Sequence, residues 1–325
     1  MASSIGRVFV SARIPTVAVD RIRVALPHHT IDYRDSELPL SPEEFSQHAK
    51  GCAGIFCNLS NRVDESVLNA AGESLKVVST MSVGADHIDV KTAKARGIKI
   101  GYTPGVLSES TAELALLLML ATARRLPEAI DAVHSGEWSE CWRPLWLTGK
   151  DLFGSTVGIV GLGGIGQALA RRLRAFDCRI LYSGPRDKPE AAEYHAVRVP
   201  FEQLLAESDF VSIHCPLTER TRHLFGAKEL ALMKESAILV NTSRGGTIDQ
   251  DALYTALTSG QIRAAGLDVT TPEPLPVDHP LLALPNCLVL PHIGSATTRT
   301  RTRMAMIAAE NLIAGVLDRP LKEQL

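Results

Sequence analysis

Three charged side chains have the types and spacing to act on a small oxygen-rich molecule. Arg244 lies in residues 241–246 (NTSRGG), Glu273 in the loop after residues 266–269, and His292 directly after residues 288–291 (LVLP). Each follows an apolar run that reads as a strand, and in a doubly wound sheet ligands bind just past the carboxyl ends of the strands. Singly they say little, since an arginine after a strand is commonly a surface ion pair and a lone histidine commonly structural. Together they suit one substrate chemistry. The always-charged fork of Arg244 can hold a carboxylate and polarise the carbonyl beside it. An imidazole can carry a proton at neutral pH when a nearby carboxylate supports the charge, the parts expected of His292 and Glu273. Anchoring a 2-oxo acid and protonating its developing alkoxide leaves only a hydride to be supplied.

A hydride carrier is expected from residues 155–166, which read STVGIVGLGGIG and are followed by helix-spaced QALARRLRAF. A G-x-G-x-x-G counts when it follows a strand and opens a helix, as it does here. Gly161 permits the tight turn, Gly163 lets the backbone approach a pyrophosphate, and Gly166 allows close helix–strand packing. The helix N-terminus adds unpaired N–H groups for the anion. NAD-binding versions carry an acid about 20 residues on, which bonds the ribose. Here residues 183–188 read SGPRDK, so a hydroxyl (Ser183) stands at the strand tip, followed by Arg186 and Lys188. Cations there attract a 2′-phosphate, which makes NADPH the preferred cofactor; Asp187 keeps NADH open. Of the other candidates, His214 (HCPLT) reads as packing, His87 (GADHID) as shaping a loop, and His279 sits in a proline-rich turn. Asp268 reads equally as a cofactor contact and as a turn cap.

The elements that must position these groups are short apolar strands alternating with helices. Residues 8–11, 54–58, 77–81, 98–103, 156–160, 179–183, 210–214, 238–241, 266–269 and 288–291 read as strands. Runs this apolar are buried on both faces, and the alternation predicts α/β architecture with parallel, doubly wound sheets. Ser41-Pro42-Glu43-Glu44 and Ser110-Thr111-Ala112-Glu113 both read as capping boxes that open helices. The apolar helix after Glu113 is either a core helix or a hinge. The proline-rich loop 271–280 (TPEPLPVDHP) is the one irregular stretch that looks shaped for a purpose. A length of 325 residues suggests about two domains at roughly 150 each.

Composition limits the alternatives. With 34 Lys+Arg against 36 Asp+Glu the net charge is −2, which argues against a nucleic-acid footprint. The six cysteines form no C-x-x-C pair and no Cys/His cluster, so no metal is expected, and they read as small buried hydrophobes in a reducing compartment. The most hydrophobic stretch, 114–121, is far shorter than the roughly 20 residues of a membrane span. Residues 1–7 lack the pattern of a secretory leader, and the terminal KEQL only half resembles a retention tail, so a cytoplasmic protein is expected.

GLGGIG, NTSRGG, GLDV with the following PEP, and PHIGSAT resemble, in that order, the D-2-hydroxyacid dehydrogenase family. STMSVGADHID, GYTPGVLSESTAEL, RRLPEAI, WRPLW and TPEPLPVDHPLL are similar to its glyoxylate/hydroxypyruvate reductase branch, the animal type in particular. The resemblance implies two Rossmann-like domains, with a discontinuous substrate-binding domain (1–106 and 299–325), a dinucleotide-binding domain (107–298) and the active site in the cleft between them. It implies NADPH-dependent reduction of glyoxylate to glycolate and of hydroxypyruvate to D-glycerate, with Arg244, Glu273 and His292 catalytic and His292 the general acid. Substrate contacts fall on Val83 and Gly84 of the 82–84 loop, Ser295, and Trp142. Cofactor contacts fall on Gly163, Gly164, Ile165, Ser183, Arg186, Lys188, Pro216, Thr242, Asp268 and Gly294. The family implies a homodimer in which Trp142 reaches the partner's site; an intramolecular clamp is the alternative. Gly164 departs from the branch, which shows a larger, often basic residue there, and this removes one phosphate contact. Sibling D-lactate and D-3-phosphoglycerate enzymes are near alternatives, and a nicotinamide-sensing corepressor is a distant one. The formate branch has glutamine where this chain keeps Glu273.

Overall fold

The computed structural model describes residues 6–325; residues 1–5, part of the segment read for a leader, lie outside them. The chain divides into two compact units, one of Met1–Leu107 with Ala296–Leu325 and one of Ser108–Ser295.

Five strands build the sheet of the first unit: β1 (Arg7–Val10), β2 (Thr30–Tyr33), β3 (Cys52–Cys57), β4 (Val77–Thr80) and β5 (Lys99–Gly101). Their order is β2-β1-β3-β4-β5 and every pairing is parallel. Side chains alternate across a strand, so β1 feeds two cores. Val8 and Val10 join the helices Thr16–Ala25 and Thr298–Val316, while Phe9 joins Pro42–Ala49 and Glu65–Ala71 on the other face. The C-terminal helix belongs here because glycines let it lie close to the sheet. A Cβ on Gly315 would sit 2.4 Å from Val77 Cβ, and one on Gly54 would sit 2.7 Å from Val316 Cγ2. The fully buried Asn311 on that helix donates to the Tyr102 carbonyl and accepts from Glu323 N–H, both at 3.0 Å.

The second unit has seven strands: β6 (Thr156–Val160), β7 (Arg179–Ser183), β8 (Val197–Arg198), β9 (Phe210–Ile213), β10 (Ile238–Asn241), β11 (Ala264–Leu267) and β12 (Cys287–Val289). The order β12-β11-β10-β9-β6-β7-β8 is again all parallel. Connections run outward in opposite directions from β6 and β9, so a topological switch point falls between them, the usual place for a ligand in such sheets.

Both sheets are parallel and doubly wound, as the alternation of elements predicts. Two edge strands escape that pattern: β2 is only half-buried and β8 is two exposed residues, so neither presents an apolar run. The Ser41 capping box forms, with Ser41 Oγ accepting Glu44 N–H and Glu44 Oε2 accepting Ser41 N–H. The expected second capping box does not. The helix there runs Ser108–Ala123, two residues earlier, and Ser110 and Thr111 are buried within it. Glu109, an acid in its first turn where it favours the helix dipole, pairs with Arg171 and Arg172. Its apolar side lies in the core of the second unit through Leu118 and Met119. Among the described residues no helix is long and apolar enough to cross a membrane.

Candidate active site

The carboxyl edge of the second sheet gathers most of the expected residues. Gly161 follows β6, Ser183 ends β7, Pro216 follows β9, Thr242 and Arg244 follow β10, Asp268 and Glu273 follow β11, and His292 follows β12.

The Arg244 loop is a tight turn made by Asn241, which is wholly buried. Its Nδ2 donates to the Arg244 carbonyl at 2.9 Å and its Oδ1 accepts Ser243 N–H at 3.0 Å. Gly245 then presses on the next loop, because a Cβ there would lie 2.1 Å from the carbonyl carbon and oxygen of Thr270. No side chain fits, and the close approach sets the Arg244 loop against the segment that carries Glu273.

Glu273 is held from two sides. Thr270 N–H donates to Oε1 at 2.9 Å, and Oε2 meets His292 Nδ1 at 2.9 Å. Burial alone would raise the carboxyl's pKa. The His292 hydrogen bond and charge, Thr270 N–H and the Arg244 guanidinium outweigh it and hold Glu273 below its ordinary value. With Nδ1 engaged, Nε2 is the ring nitrogen of His292 left for another group. His292 has φ of 54°, a left-handed conformation uncommon for a residue other than glycine and held here by its surroundings. Asp268 does the holding. It is 1% exposed, and its carboxylate accepts Ile293 N–H at 2.7 Å and Gly294 N–H at 2.8 Å, while its carbonyl accepts His292 N–H at 2.9 Å. Of the two readings of Asp268, the turn cap is thus present. Burial raises its pKa despite the two amide bonds.

The glycine turn has the shape a pyrophosphate needs. Gly161 adopts φ of 97°, and a Cβ there would meet Cys215 N at 2.9 Å. Gly163 caps the helix Gly164–Leu173 without a side-chain bond and faces open space, while a Cβ on Gly166 would strike the Gly161 carbonyl oxygen at 2.5 Å. The first-turn amides of Gly164, Ile165 and Gly166 have no intrahelical acceptor. At Gly164 a Cβ would come within 2.9 Å of Ser108 Oγ, a side-chain tip that can turn aside. Beyond β10, Thr242 Oγ1 is buried without a hydrogen-bond partner, so a polar group from a bound molecule would satisfy it. These features fit a dinucleotide. A cavity of about 160 Å³ lined by Thr122, Arg125, Glu128, Arg263 and Asn286 lies instead at the amino ends of β11 and β12, away from the charged triad.

Val83 and Gly84 belong to the first unit, after β4. Ser82 is 2% exposed, and its Oγ donates to the Gly84 carbonyl at 2.7 Å and meets Thr80 Oγ1 at 2.8 Å, which in turn meets His87 Nε2 at 2.9 Å. The amides of Val83 and Gly84 make no hydrogen bond among the described residues. Trp142 stands 79% exposed in an irregular segment, with Arg143 over the Trp146 ring. Ser295 is half-buried and closes the second unit. Sequence reasoning missed Gly245 and Thr270, whose parts exist only where two loops meet, and Arg198, which lies on the unrecognised strand β8.

A parallel sheet with a strand–glycine turn–helix cradle and a carboxylate-supported histidine on the same edge defines a dinucleotide-dependent oxidoreductase. Residues 116–294 match the family model described as D-isomer specific 2-hydroxyacid dehydrogenase, NAD binding domain. The chain is 51% identical over 324 residues to a glyoxylate reductase/hydroxypyruvate reductase of Homo sapiens, covering 98% of this chain and 97% of that one. Among solved structures it resembles a protein of Thermus thermophilus, with a TM-score of 0.89, 42% identity and coverage of 98% and 99%. It also resembles an NADPH-dependent glyoxylate/hydroxypyruvate reductase of Sinorhizobium meliloti in complex with NADP and malonate, with a TM-score of 0.84, 32% identity and coverage of 99% and 97%. The chain belongs to the D-isomer specific 2-hydroxyacid dehydrogenase family.

Proposed function

We propose that the protein reduces glyoxylate to glycolate and hydroxypyruvate to D-glycerate, with NADPH as the preferred cofactor. The observation that carries this reading is the 2.9 Å contact between His292 Nδ1 and Glu273 Oε2 beside the Arg244 loop. Glu273 stabilises the imidazolium, which donates a proton from Nε2 to the oxygen that was the substrate carbonyl. Arg244 holds the substrate carboxylate and draws electron density from the neighbouring carbonyl. The Val83 and Gly84 amides and Ser295 are assigned as further substrate contacts. The Gly161–Gly166 turn would hold the pyrophosphate of a reduced dinucleotide, whose nicotinamide would supply the hydride. The first-turn amides and Thr242 hold the dinucleotide, and Ser183, Arg186 and Lys188 its adenosine end.

The relatives named as glyoxylate/hydroxypyruvate reductases support the substrate assignment, and the Sinorhizobium complex supports NADP(H). We read the enzyme as a homodimer, with Trp142 contributed to the partner's site. Leu126, Ile130, Val133, Trp138 and Leu145, all exposed, supply an apolar surface for such an interface. The free cysteines suit the cytoplasm.

The test is a steady-state assay of small 2-oxo acids with NADPH and NADH, followed by the loss of reduced-nicotinamide absorbance. Turnover of glyoxylate and hydroxypyruvate is expected. His292→Asn is expected to lower kcat by about 10²–10⁴-fold with the fold retained, the usual contribution of a positioned general acid. A fall of less than about tenfold would remove His292 from the proton transfer.

A further inference from the structure

The turn after β7 carries cation, anion and cation in succession: Arg186, Asp187 and Lys188. Choice of dinucleotide depends on which of these charges a ribose meets, since an acid bonds the 2′,3′-diol of NADH and repels the 2′-phosphate of NADPH. Read along the chain, Asp187 is free to do either. In the fold it is not. Arg198 on β8 is the register partner of Tyr182 on β7, which brings its side chain back over the turn. Its Nη1 meets Asp187 Oδ1 at 2.9 Å and its Nη2 donates to the Gly184 carbonyl at 3.0 Å, so one guanidinium bridges both sides of the turn. Lys188 N–H is independently fixed by the Tyr182 hydroxyl at 3.2 Å. The Asp187 side chain is 80% exposed and that of Arg198 40%, so the pair adds little to folding stability. Its consequence is local charge: with Asp187 matched by Arg198, the cations Arg186 and Lys188 set the potential of the turn.

We propose that Arg198 is a specificity-determining residue that withdraws Asp187 from the ribose and so selects NADPH over NADH. The inference rests on the reading of the 183–188 turn as the adenosine-ribose site. It assigns to a residue outside that turn the task of silencing the acid within it.

The experiment measures kcat/KM for NADPH and for NADH, at fixed ionic strength and with glyoxylate as substrate. The proteins are the wild type, Arg198→Ala, Asp187→Ala and the double variant, each with its melting temperature. Arg198→Ala is expected to lower the NADPH/NADH ratio by about tenfold or more, through weaker NADPH use together with a gain for NADH. Removing Asp187 as well is expected to restore most of the ratio, and Asp187→Ala alone to change it little. Melting temperatures should stay within a degree or two of the wild type. A loss of NADPH use that Asp187→Ala does not repair would overturn the proposal, because it would make Arg198 a direct phosphate ligand. An unchanged ratio in Arg198→Ala would also overturn it. A wild type that prefers NADH would instead remove the underlying NADPH reading, and the two failures are distinguished by the wild-type ratio alone.

Discussion

Glu273 is pulled in opposite directions by its surroundings, and the outcome decides what His292 can do. Burial favours a neutral acid, whereas the imidazole, the Thr270 amide and Arg244 favour the carboxylate and prevail. Glu273 therefore stays ionised across the neutral range, where a proton on His292 needs a counter-charge. A second set of polar atoms holds the 82–84 loop, proposed above as a substrate contact, in a similar way. Ser82 ties the Gly84 carbonyl inward at 2.7 Å and is itself backed by Thr80 and His87, so the neighbouring amides are left to face a ligand. Ser82→Ala removes the hydrogen bonds to the Gly84 carbonyl and to Thr80 Oγ1, each worth about 0.5–1.5 kcal/mol net. KM for glyoxylate should rise about 2- to 10-fold while kcat and KM for NADPH hold nearly constant. A matching fall in kcat with an unaltered KM would show that the serine does not position the Val83 and Gly84 amides for substrate.

Where strands end matters as much as which residues follow them. β11 stops at Leu267 and β12 at Val289, so Asp268 and His292 occupy turns rather than ladder positions, and the turns bond to one another. β9 and the glycine turn show a comparable dependence, since Gly161 packs on the backbone of His214 and Cys215. His214 keeps some accessible area as a residue, yet its Nδ1 is buried without a partner and its Nε2 meets Ser212 Oγ at 2.9 Å. Burial pushes its pKa down to about 4. An unfolded imidazole titrates near 6.5, so between these values the unfolded chain binds more protons than the native one. Native stability should fall as pH drops through that window, with no contribution from this group above it. Melting temperatures between pH 7.5 and 5 are expected to decline more steeply for the wild type than for His214→Gln. Parallel curves would mean that the imidazole is protonated in the native state as readily as in the unfolded one.

Across the molecule, the C-terminal helix completes the first unit and not the second, although the chain reaches it from the second. Gly54 and Gly315 allow the contact, and Asn311 locks it to Tyr102, just past β5, and to Glu323 near the C-terminus. Gly315→Val would drive its side chain into Val77 and should cost about 1–3 kcal/mol as an overpacked core position. Hydrogen exchange should register the loss in β3, β4 and the Thr298–Val316 helix, with β6 and β9 keeping their protection. Deprotection of both sheets to the same extent would contradict an independent core for each unit.

The repeating apolar runs made the parallel doubly wound architecture readable from the chain, because strands buried on both faces must be apolar throughout and short turns must separate them. The glycine spacing did the same for the cradle, since only glycine tolerates the positive φ at Gly161 and the backbone contact at Gly166. Residue types and resemblance also nominated Arg244, Glu273 and His292. What pattern and composition left open was settled by contacts between residues distant along the chain. Asp268 reads as either contact or cap until Ile293 and Gly294 turn their amides onto it, and Asp187 reads as a free acid until β8 pairs with β7 and delivers Arg198. The physical reason is the same in both cases: an ionisable group's role depends on the charges and dipoles within a few ångströms of it, and in these turns the folded backbone chooses those neighbours.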